Sequence, residues 1–270
     1  MRNKLTDELA VCGLKAVLAV AEHHPETINR LFLREDCFKA FTGICRQLAE
    51  RKRPYKICSD EELERICKSV HHQGVVAMVV EPVIEPLTRE DLDFWANEGK
   101  TGLVLHEVGN DHNFGAIVRA AAFFDVHFIV LNENDEEARL STSAYRVAEG
   151  GMEHVVVRKI SNTAAFLQEA RAKIVVVGTD VRARRRIGDL PAIVNDWTAT
   201  EENQSVRDVQ GSRRASRPGV ALVLGNEERG LPESIKTICT CLLRVPGTGN
   251  VESLNVSQAA SLFLREIYDL

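Results

Sequence analysis

The sequence predicts an α/β protein with a mostly parallel sheet that carries helices on both faces, preceded by a small α/β domain. Three observations predict this architecture. Short apolar runs alternate with segments of helical periodicity along the chain. In the second half the apolar runs are continuous, which is typical of strands covered on both faces. Between the halves, Pro82 and Pro86 interrupt regular structure and indicate a linker.

The composition is that of an ordinary globular protein. The chain has 270 residues, of which 44% are hydrophobic and 27% charged, enough for two modest domains. No apolar run is long enough to span a membrane, and the first residues lack the apolar core of a signal peptide, so we expect a cytoplasmic protein without membrane contact. The seven cysteines form no C-x-x-C pairs, which predicts reduced structural thiols and no metal site.

The net charge of −5 excludes a global electrostatic attraction to nucleic acid. Any contact with RNA therefore has to come from local basic clusters. Two clusters are candidates: Arg46, Arg51, Lys52, Arg53 and Lys56 in the first part, and Arg182, Arg184, Arg185 and Arg186 later. A solvated surface without a partner is the alternative interpretation of each.

Residues 1–80 are expected to form the first domain, a small α/β layer unit. The spacing of apolar residues predicts a helix over 5–23 and a second one over 35–51. Ser59 or Asp60 can cap a third helix, because such side chains accept hydrogen bonds from helix N-termini. The other predicted elements are strands at 28–33, 55–57 and 74–80, and a linker at 81–100 with a short acidic helix at 88–97.

Residues 101–270 are expected to form the second domain. A loop is predicted at 109–114, with a helix after it at 115–124. Residues 200–218 contain few apolar side chains and are predicted to form a surface loop, whose arginines either contact RNA or keep the loop solvated. The predicted strands are 102–108, 127–131, 154–157, 174–177, 220–224 and 241–245.

A glycine-containing stretch, Gly247-Thr248-Gly249, follows the last predicted strand and precedes an amphipathic helix that begins near Val256. Asn255 can cap this helix, and the loop offers backbone groups to a ligand. The stretch begins like a dinucleotide-binding fingerprint, but Glu252 occupies the third glycine position, which argues against that interpretation. A plain glycine turn before a helix is the other alternative.

Three stretches of the second domain resemble the motifs of a known family. They are Asn113-Phe114-Gly115-Ala116-Ile117-Val118-Arg119, Leu224-Gly225-Asn226-Glu227-Glu228-Arg229-Gly230-Leu231-Pro232, and the stretch from Val245 to Ser257. In this order and with these intervals they resemble the three motifs of the SpoU/TrmH branch of the SPOUT RNA methyltransferases. The first domain is similar to the ribosomal-protein-like substrate-binding domain of that family, through its order of elements and through His72-Gln73-Gly74-Val75.

The resemblance implies a fold, a reaction and an assembly. The fold is an α/β domain whose C-terminal stretch is threaded through an earlier loop as a trefoil knot. The reaction is transfer of a methyl group from S-adenosylmethionine to a ribose 2′-hydroxyl of RNA, either rRNA or tRNA, without a metal. The assembly is a homodimer, and the predicted partner face is the apolar side of the last helix, at Phe263, Leu264 and Ile267.

The site residues that the resemblance implies fall into two groups. The catalytic group is Asn113, Arg119, Glu227, Asn255 and Ser257. The cofactor-binding group is Thr179, Leu224, Gly225, Asn226, Val245, Pro246, Gly249, Ser253 and Leu254. Glu227 and Ser257 are expected to support the site rather than to react. Simpler interpretations exist for Asn113 as a helix cap, Arg119 as a phosphate-binding arginine and Glu227 as an ion-paired loop acid.

Gly225, Gly247 and Gly249 are expected where the chain approaches the cofactor closely. Arg119 is chemically unfavourable as a general base, because a guanidinium with a pKa above ~12 stays protonated. It can instead hold the substrate phosphate and stabilise charge that develops on the oxygen. Two rival functions stay open at this point: an RNA-binding protein that has this fold without catalysis, and a SPOUT enzyme that methylates a base.

Overall fold

The structure of the protein is a computed structural model that describes residues 2–3, 7–134, 140–199 and 217–270. The surface loop predicted at 200–218 therefore lies almost wholly outside the described residues. The chain divides into two compact units. Unit 1 comprises Met1–Val83, Asp111–Arg119 and Arg139–His154, and unit 2 comprises Ile84–Asn110, Ala120–Ala138 and Val155–Leu270.

Strands and helices alternate through most of the described chain. Up to residue 100 they are β1 (Arg2–Asn3), β2 (Glu8–Cys12), α1 (Leu14–His23), β3 (Ile28–Leu33), α2 (Thr42–Glu50), β4 (Tyr55–Ile57), α3 (Asp60–Cys67), β5 (Val75–Val80), β6 (Glu85–Pro86) and α4 (Arg89–Asn97). After residue 100 they are β7 (Thr101–Leu105), α5 (Asp111–Phe123), β8 (Val126–Asn132), α6 (Thr142–Ala148), β9 (Val156–Ile160), α7 (Thr163–Ala170), β10 (Val175–Thr179), β11 (Arg185–Arg186), α8 (Leu190–Ala199), β12 (Val220–Leu224), α9 (Glu233–Lys236), β13 (Cys241–Arg244) and α10 (Val256–Tyr268). Short 3₁₀ helices occupy Pro25–Thr27, Glu35–Phe41, Gly151–His154 and Ile187–Asp189.

The helix predicted over 5–23 is wrong in its first half. Residues Glu8–Cys12 form the buried strand β2, and the helix begins only at Leu14. Gly13 separates the two elements with a φ of 103°, a conformation that glycine adopts readily. A short apolar run is compatible with either a strand or a buried helix, and here pairing with β5 makes it a strand. The helix predicted over 35–51 is also too long, since its first turns are 3₁₀ and α2 begins at Thr42.

Unit 1 is built on a five-stranded sheet with the order β1-β2-β5-β3-β4. Strands β3 and β4 are parallel, and the other neighbouring pairs are antiparallel. The strands predicted at 28–33, 55–57 and 74–80 are confirmed, as is the cap by Ser59, which accepts a hydrogen bond from the N–H of Glu62.

The turn before β5 ties this sheet to helix α1. His72 Nδ1 accepts a hydrogen bond from the N–H of Gly74 (3.1 Å), and Gln73 Oε1 accepts one from the N–H of Leu14 (2.9 Å). Gly74 has a φ of 81°, and a Cβ there would lie 2.7 Å from Cys37 Sγ. The short motif recognised in the sequence therefore has a structural role, since it fixes where α1 starts relative to β5.

Unit 2 contains an eight-stranded sheet with the order β11-β13-β10-β12-β7-β8-β9-β6, and all its described pairs are parallel. The predicted α/β fold with a mostly parallel sheet is confirmed. The six strands predicted in this half are present, 220–224 with the predicted bounds and the other five with shifted ends, and the helix predicted at 88–97 is α4. Strand β6 contains Pro86 and lies at an edge of the sheet, where a residue without an N–H is tolerated.

The hydrophobic core of unit 2 includes the fully buried Trp95 of α4. Its ring centroid lies 5.3 Å from that of Phe128 and 6.4 Å from that of Phe166. The indole Nε1 donates a hydrogen bond to the carbonyl oxygen of Val220 (3.2 Å). A Cβ on Gly102 would lie 2.2 Å from the Trp95 ring, so the bare backbone of β7 makes room for the indole.

The loop predicted at 109–114 is wrong after its first two residues, because α5 begins at Asp111. Asn113 consequently lies in the first turn of the helix, and its alternative interpretation as a cap before the helix is wrong as well. Gly115 faces α6 within unit 1. A Cβ on Gly115 would lie 2.6 Å from the carbonyl oxygen of Ala144, so glycine permits the close approach of the two helices.

The last helix, α10, confirms the amphipathic pattern, but the predicted partner face is wrong. Phe263, Leu264 and Ile267 are 2%, 1% and 0% exposed, because they pack within their own chain. Arg217 Nη1 donates a hydrogen bond to the carbonyl oxygen of Ile267 (2.9 Å) and so satisfies the C-terminal end of the helix. Among the helices that the structure describes, none combines the length and the apolar character needed to cross a membrane.

Candidate active site

Loops at the carboxyl ends of three adjacent strands of unit 2 enclose a cleft. The loops follow β10, β12 and β13, and the first turns of α10 complete the wall. The cleft has a volume of about 730 Å³, which is within the range of small-molecule sites. Open parallel sheets bind ligands at this edge because the loops of neighbouring strands meet there.

The cleft brings together residues from separate stretches of the sequence. Glu227, from the predicted catalytic group, lines it. Asn255 and Ser257 lie at the adjoining start of α10, whereas Asn113 and Arg119 belong to unit 1. The predicted cofactor-binding residues all line the cleft: Thr179, Leu224, Gly225, Asn226, Val245, Pro246, Gly249, Ser253 and Leu254. The roles assigned to these residues stay predictions.

Asn226 shapes the loop that follows β12. Its Oδ1 accepts hydrogen bonds from the N–H groups of Glu228 (3.0 Å) and Arg229 (3.1 Å), and its Nδ2 donates to the carbonyl oxygen of Glu107 (2.9 Å). The N–H of Gly230 donates to the carbonyl oxygen of Asn226 (2.8 Å). This one side chain therefore fixes the turn and fastens it to the loop after β7.

Gly225 is required by the fold of the same loop. A Cβ at this position would lie 2.6 to 2.8 Å from backbone atoms of Gly230 and Leu231, which is too close for any side chain. The fold of the chain by itself therefore requires a glycine here, and the close approach of a cofactor to Gly225 stays a prediction. Gly247 has open space around it, and Gly249 has a φ of 85° that favours glycine.

Glu227 also connects the loops after β7 and β12. Its carboxylate accepts a hydrogen bond from the N–H of Gly109 (3.1 Å). Beside it, Arg229 Nη2 lies 3.1 Å from Glu107 Oε2. These contacts agree with the expectation that Glu227 supports the site, because a carboxylate that holds a neighbouring loop is already occupied as an acceptor.

The cleft wall contains an ion pair that was not predicted from the sequence. Asp180 Oδ2 lies 2.7 Å from Lys236 Nζ, and both side chains are mostly buried. Burial opposes ionisation of the Asp180 carboxyl, but the hydrogen bonds from Lys236 and from the N–H of Arg182 outweigh it and lower the pKa of Asp180. No local pattern links the two residues, because only the sheet brings the loop after β10 close to α9.

Apolar side chains line the cleft without being buried. Val181, Val251 and Leu254 are 53%, 71% and 43% exposed. Aliphatic groups that face water inside a cleft can cover an aromatic ring of a ligand. The backbone of residues 245–249 lies in the same wall and offers hydrogen-bonding groups beside them.

Arg119 lies in unit 1, on helix α5, and is held by an acid that sequence reasoning did not include. Its Nη1 lies 3.2 Å from Glu149 Oε1, while Glu149 Oε2 accepts a hydrogen bond from Lys15 Nζ (2.8 Å). The hydrogen bond from Lys15 and the charge of Arg119 lower the pKa of the Glu149 carboxyl. Glu149 itself ends α6 in a left-handed conformation with a φ of 48°.

The residues of the cleft fit S-adenosylmethionine, which has an adenine ring, a polar ribose and methionine part, and two cationic groups at its ammonium and sulfonium. The exposed aliphatic side chains suit the ring. Glu228 and Glu252 offer carboxylates to the cationic groups, on a wall that also carries Arg182 and Arg244. Within the described ranges, no group of three or more His, Cys, Asp or Glu side chains could hold a metal ion.

Fold and cleft define a class, an α/β protein whose last strands and last helix build a site for a nucleotide-like cofactor. Comparison with known proteins identifies the family. The profile of the SpoU rRNA Methylase family matches residues 100–265, and that of RNA 2′-O ribose methyltransferase substrate binding matches residues 10–83. The chain belongs to the SpoU rRNA methylase family, which confirms the resemblance found in its motifs.

Curated relatives align with nearly the whole chain. The 23S rRNA (guanosine-2′-O-)-methyltransferase RlmB of Nitrosomonas europaea is 29% identical over 266 residues, covering 98% of this chain and 92% of that protein. The protein of the same name from Acinetobacter baylyi is 30% identical over 266 residues, covering 94% of each chain.

Solved structures share the fold. An rRNA methyltransferase from Sinorhizobium meliloti superposes with a TM-score of 0.72 at 23% identity, covering 97% of this chain and 87% of that one. The SpoU methyltransferase AviRb from Streptomyces viridochromogenes, crystallised with the cofactor AdoMet, gives a TM-score of 0.70 at 20% identity, with 100% and 93% covered. The chain is thus an S-adenosylmethionine-dependent RNA ribose-2′-O-methyltransferase, as its motifs predict.

Proposed function

We propose that the protein methylates the ribose 2′-hydroxyl of a guanosine in 23S rRNA. Relatives named for this activity align with nearly the whole chain, which supports rRNA over tRNA as the substrate. The observation that carries the chemistry is the cleft, where loops after three adjacent strands bring the predicted cofactor-binding residues together.

S-adenosylmethionine supplies an electrophilic methyl group on a positively charged sulfur. In the proposed mode of binding, Val251 and Leu254 cover its adenine, and the backbone beside Gly225 and Val245 accepts and donates hydrogen bonds. The remaining task of the protein is to align the RNA oxygen with the methyl group and to let its proton leave. Asn226 fixes its loop in advance, so little ordering is needed on binding.

Arg119 is the proposed contact to the RNA. Its side chain is 57% exposed and therefore accessible to a phosphate. A planar guanidinium forms two parallel hydrogen bonds with phosphate oxygens, which fixes the ribose next to it, and its charge stabilises the developing alkoxide. Glu149 restricts the rotamers of Arg119 and keeps its donors directed. Asn113, in the first turn of the same helix, supplies an amide that can contact the ribose.

Asn255 and Ser257 act by organising the start of α10. Asn255 Oδ1 accepts hydrogen bonds from both the N–H and the hydroxyl of Ser257, at 2.9 and 2.6 Å. This cap holds the first turn of the helix and, with it, the positions of Ser253 and Leu254 beside the cofactor.

The proposed roles of the three segments follow their order in the chain. Residues 1–80 bind the RNA, residues 81–100 link the two domains, and residues 101–270 transfer the methyl group. The match of residues 10–83 to a substrate-binding family supports the first assignment. If the second part alone bound target RNA as tightly as the whole chain, the first assignment would be wrong.

A homodimer is the proposed assembly. At the ends of α5 and α10, Phe123 and Tyr268 are 80% and 58% exposed, and both rings contact Phe124, at centroid distances of 5.0 and 6.0 Å. An aromatic cluster that faces water is costly unless it is covered. We assign a second copy of the chain as its cover, because the family resemblance implies a dimer.

A trefoil knot is the proposed threading of the C-terminal segment. Strand β13 lies between β10 and β11, although β10 and β11 are joined by a connection of only a few residues. That insertion supports a chain passing beneath the connection, which is rare in proteins. Joining the two termini enzymatically and unfolding the product in detergent tests this proposal, because a knotted circle migrates faster in a gel than an unknotted one.

Separated RNAs test the substrate. We expect that 23S rRNA from cells lacking the protein accepts labelled methyl groups, while 16S rRNA and tRNA from the same cells do not. Label found only in tRNA would contradict the assignment. Cofactor binding without label in any RNA would favour a binding protein without catalysis, and calorimetry with S-adenosylmethionine distinguishes that outcome from an inactive preparation.

A further inference from the structure

A group of arginines gathers at one edge of the sheet in unit 2. Strand β11 consists of Arg185 and Arg186 and forms the end of the sheet beside β13. In the register of this pair, Arg186 lies opposite Arg244. Opposite residues on neighbouring strands point to the same face and lie close together, so two like charges meet here. With Arg182 and Arg184, which precede β11, these residues make up the arginine patch.

Described acids compensate the charge of the arginine patch only in part, since the carboxylate of Asp180 attracts Arg182 without forming an ion pair with it. None of its five guanidinium groups forms an ion pair with a carboxylate of a described residue. The two acids nearest in sequence have other partners: Asp180 pairs with Lys236, and Asp189 accepts the backbone N–H of Arg186 (2.7 Å). Like charges placed side by side without compensation cost stability, which a bound anion would restore.

The patch is continuous with the proposed active site. Arg182 and Arg244 line the cleft itself, whereas Arg184, Arg185 and Arg186 extend from it along the edge and are exposed. Charged residues on an edge strand commonly prevent sheets from pairing with one another. That explanation does not cover Arg244, because β13 is an interior strand with β10 and β11 on its two sides.

We infer that the arginine patch binds the sugar-phosphate backbone of the substrate RNA beside the cofactor cleft. Guanidinium groups match phosphate oxygens in geometry, and a row of them suits a polyanion with regularly spaced charges. The chain has a net charge of −5, so its attraction to RNA has to be concentrated locally. The inference rests on the proposed function, since the arginine patch would bind one strand of that substrate RNA and hold it at the cleft.

A triple variant, Arg184→Gln with Arg185→Gln and Arg186→Gln, tests the inference in the full-length protein. Binding of an unmodified 23S rRNA transcript is measured by filter retention at several KCl concentrations. Each lost phosphate contact lowers the magnitude of the slope of log affinity against log salt by about 0.7 to 0.9. The loss of three contacts should therefore make the slope shallower by about 2 and, with the affinity at 1 M salt unchanged, lower the affinity at 0.1 M salt roughly a hundredfold. Affinity for S-adenosylmethionine and the rate at saturating RNA should be unchanged.

The matched control removes three positive charges elsewhere on unit 2, with Arg89→Gln, Arg171→Gln and Arg265→Gln. This control should retain the salt slope of the parent, because Arg89 and Arg265 pair with acids on their own surface. Replacing Arg184, Arg185 and Arg186 by Lys should restore most of the affinity.

Two results would overturn the inference. One is a triple Gln variant with the affinity and salt slope of a catalytically active parent, and the other is a Lys variant that binds no better than the Gln variant. A parent that binds the transcript but transfers no methyl group to ribose would instead refute the proposed function, so the two failures are distinguishable.

Discussion

Among single residues, Arg119 has the largest part in the proposed mechanism. Arg119→Ala should reduce methyl transfer roughly a hundredfold or more, as the loss of a transition-state donor does. Affinity for S-adenosylmethionine should be nearly unchanged, because the proposed cofactor contacts lie in the cleft and not on α5. Arg119→Lys keeps the charge but not the planar fork, so it should also be poorly active. Single-turnover methylation and calorimetry measure the two quantities.

An Ala variant that methylates at the rate of the parent would return Arg119 to the status of a surface arginine. A Lys variant with the rate of the parent would show that positive charge alone suffices and would refute the proposed clamp on the phosphate.

We expect Glu149 to affect the rate of methyl transfer by positioning the guanidinium of Arg119. Glu149→Gln weakens the contact that restricts the guanidinium, and we expect a loss in single-turnover rate of up to about tenfold, equivalent to about 1.4 kcal/mol of transition-state stabilisation. Lys15→Gln is the matched comparison, because it removes the other partner of Glu149 and leaves Arg119 in place. Equal losses in both variants would indicate a general weakening of unit 1 and would refute the positioning role.

Most of the candidate cleft residues could be predicted because they lie within short motifs, whereas Thr179 lies at the end of a strand outside them. The physical reasons why these residues are required could not be predicted, because they depend on contacts between segments that are distant in the sequence. Gly225 illustrates the difference: its position was predicted, but the backbone of Gly230 that requires a glycine is apparent only in the fold. Asp180 with Lys236, and Glu149 with Arg119, leave no local sequence signal for the same reason.

At the scale of elements, the Asp180–Lys236 pair joins the end of β10 to α9. Asp180→Asn should lower the free energy of unfolding by about 1 to 3 kcal/mol at pH 7, the usual cost of losing a charged hydrogen bond. The folded-state pKa of Asp180 lies below its usual value of 3.8, so the stabilisation is present above about that pH. It is lost as the pH falls through the lowered pKa. Urea unfolding of parent and variant between pH 7 and pH 2.5 measures this difference.

The difference in unfolding free energy between parent and variant should therefore shrink toward the acid end. A difference that stays constant over the whole range would mean that the charge of Asp180 contributes nothing. Lys173 and Asp93 form a more exposed pair, and Asp93→Asn serves as the comparison with a smaller expected effect.

Helices and strands were predictable where the apolar pattern was long or where a capping residue marked its start. Continuous apolar runs identified the strands of the parallel sheet, and Ser59 marked the start of α3. The prediction of helices and strands was wrong where an apolar run was short. Residues 8–12 are compatible with a helix until β5 provides a partner, and Asp111 starts α5 earlier than its polar composition suggests. For residues 8–12 tertiary pairing overrides the local preference, whereas an acidic residue such as Asp111 is compatible with the first turn of a helix.

At the scale of the whole molecule, the homodimer is the first prediction. Phe123→Glu places a charge in the exposed aromatic cluster and should yield a species with the mass of one 30.0 kDa chain in sedimentation at micromolar concentration, while the parent sediments as two. Val83→Glu is the control, because Val83 is similarly exposed at 78% but far from the cluster in sequence. A parent that sediments as a single chain would contradict the dimer.

The central claim is that the methyl group goes to a ribose oxygen. The direct measurement is to incubate the protein with S-adenosylmethionine labelled in its methyl group and with unmethylated 23S rRNA, and then to digest the RNA with alkali. Alkaline cleavage requires a free 2′-hydroxyl, so a methylated ribose protects the bond that follows it. We predict that the label is recovered in alkali-resistant dinucleotides. Label recovered only in mononucleotides would place the methyl group on a base and contradict the ribose assignment.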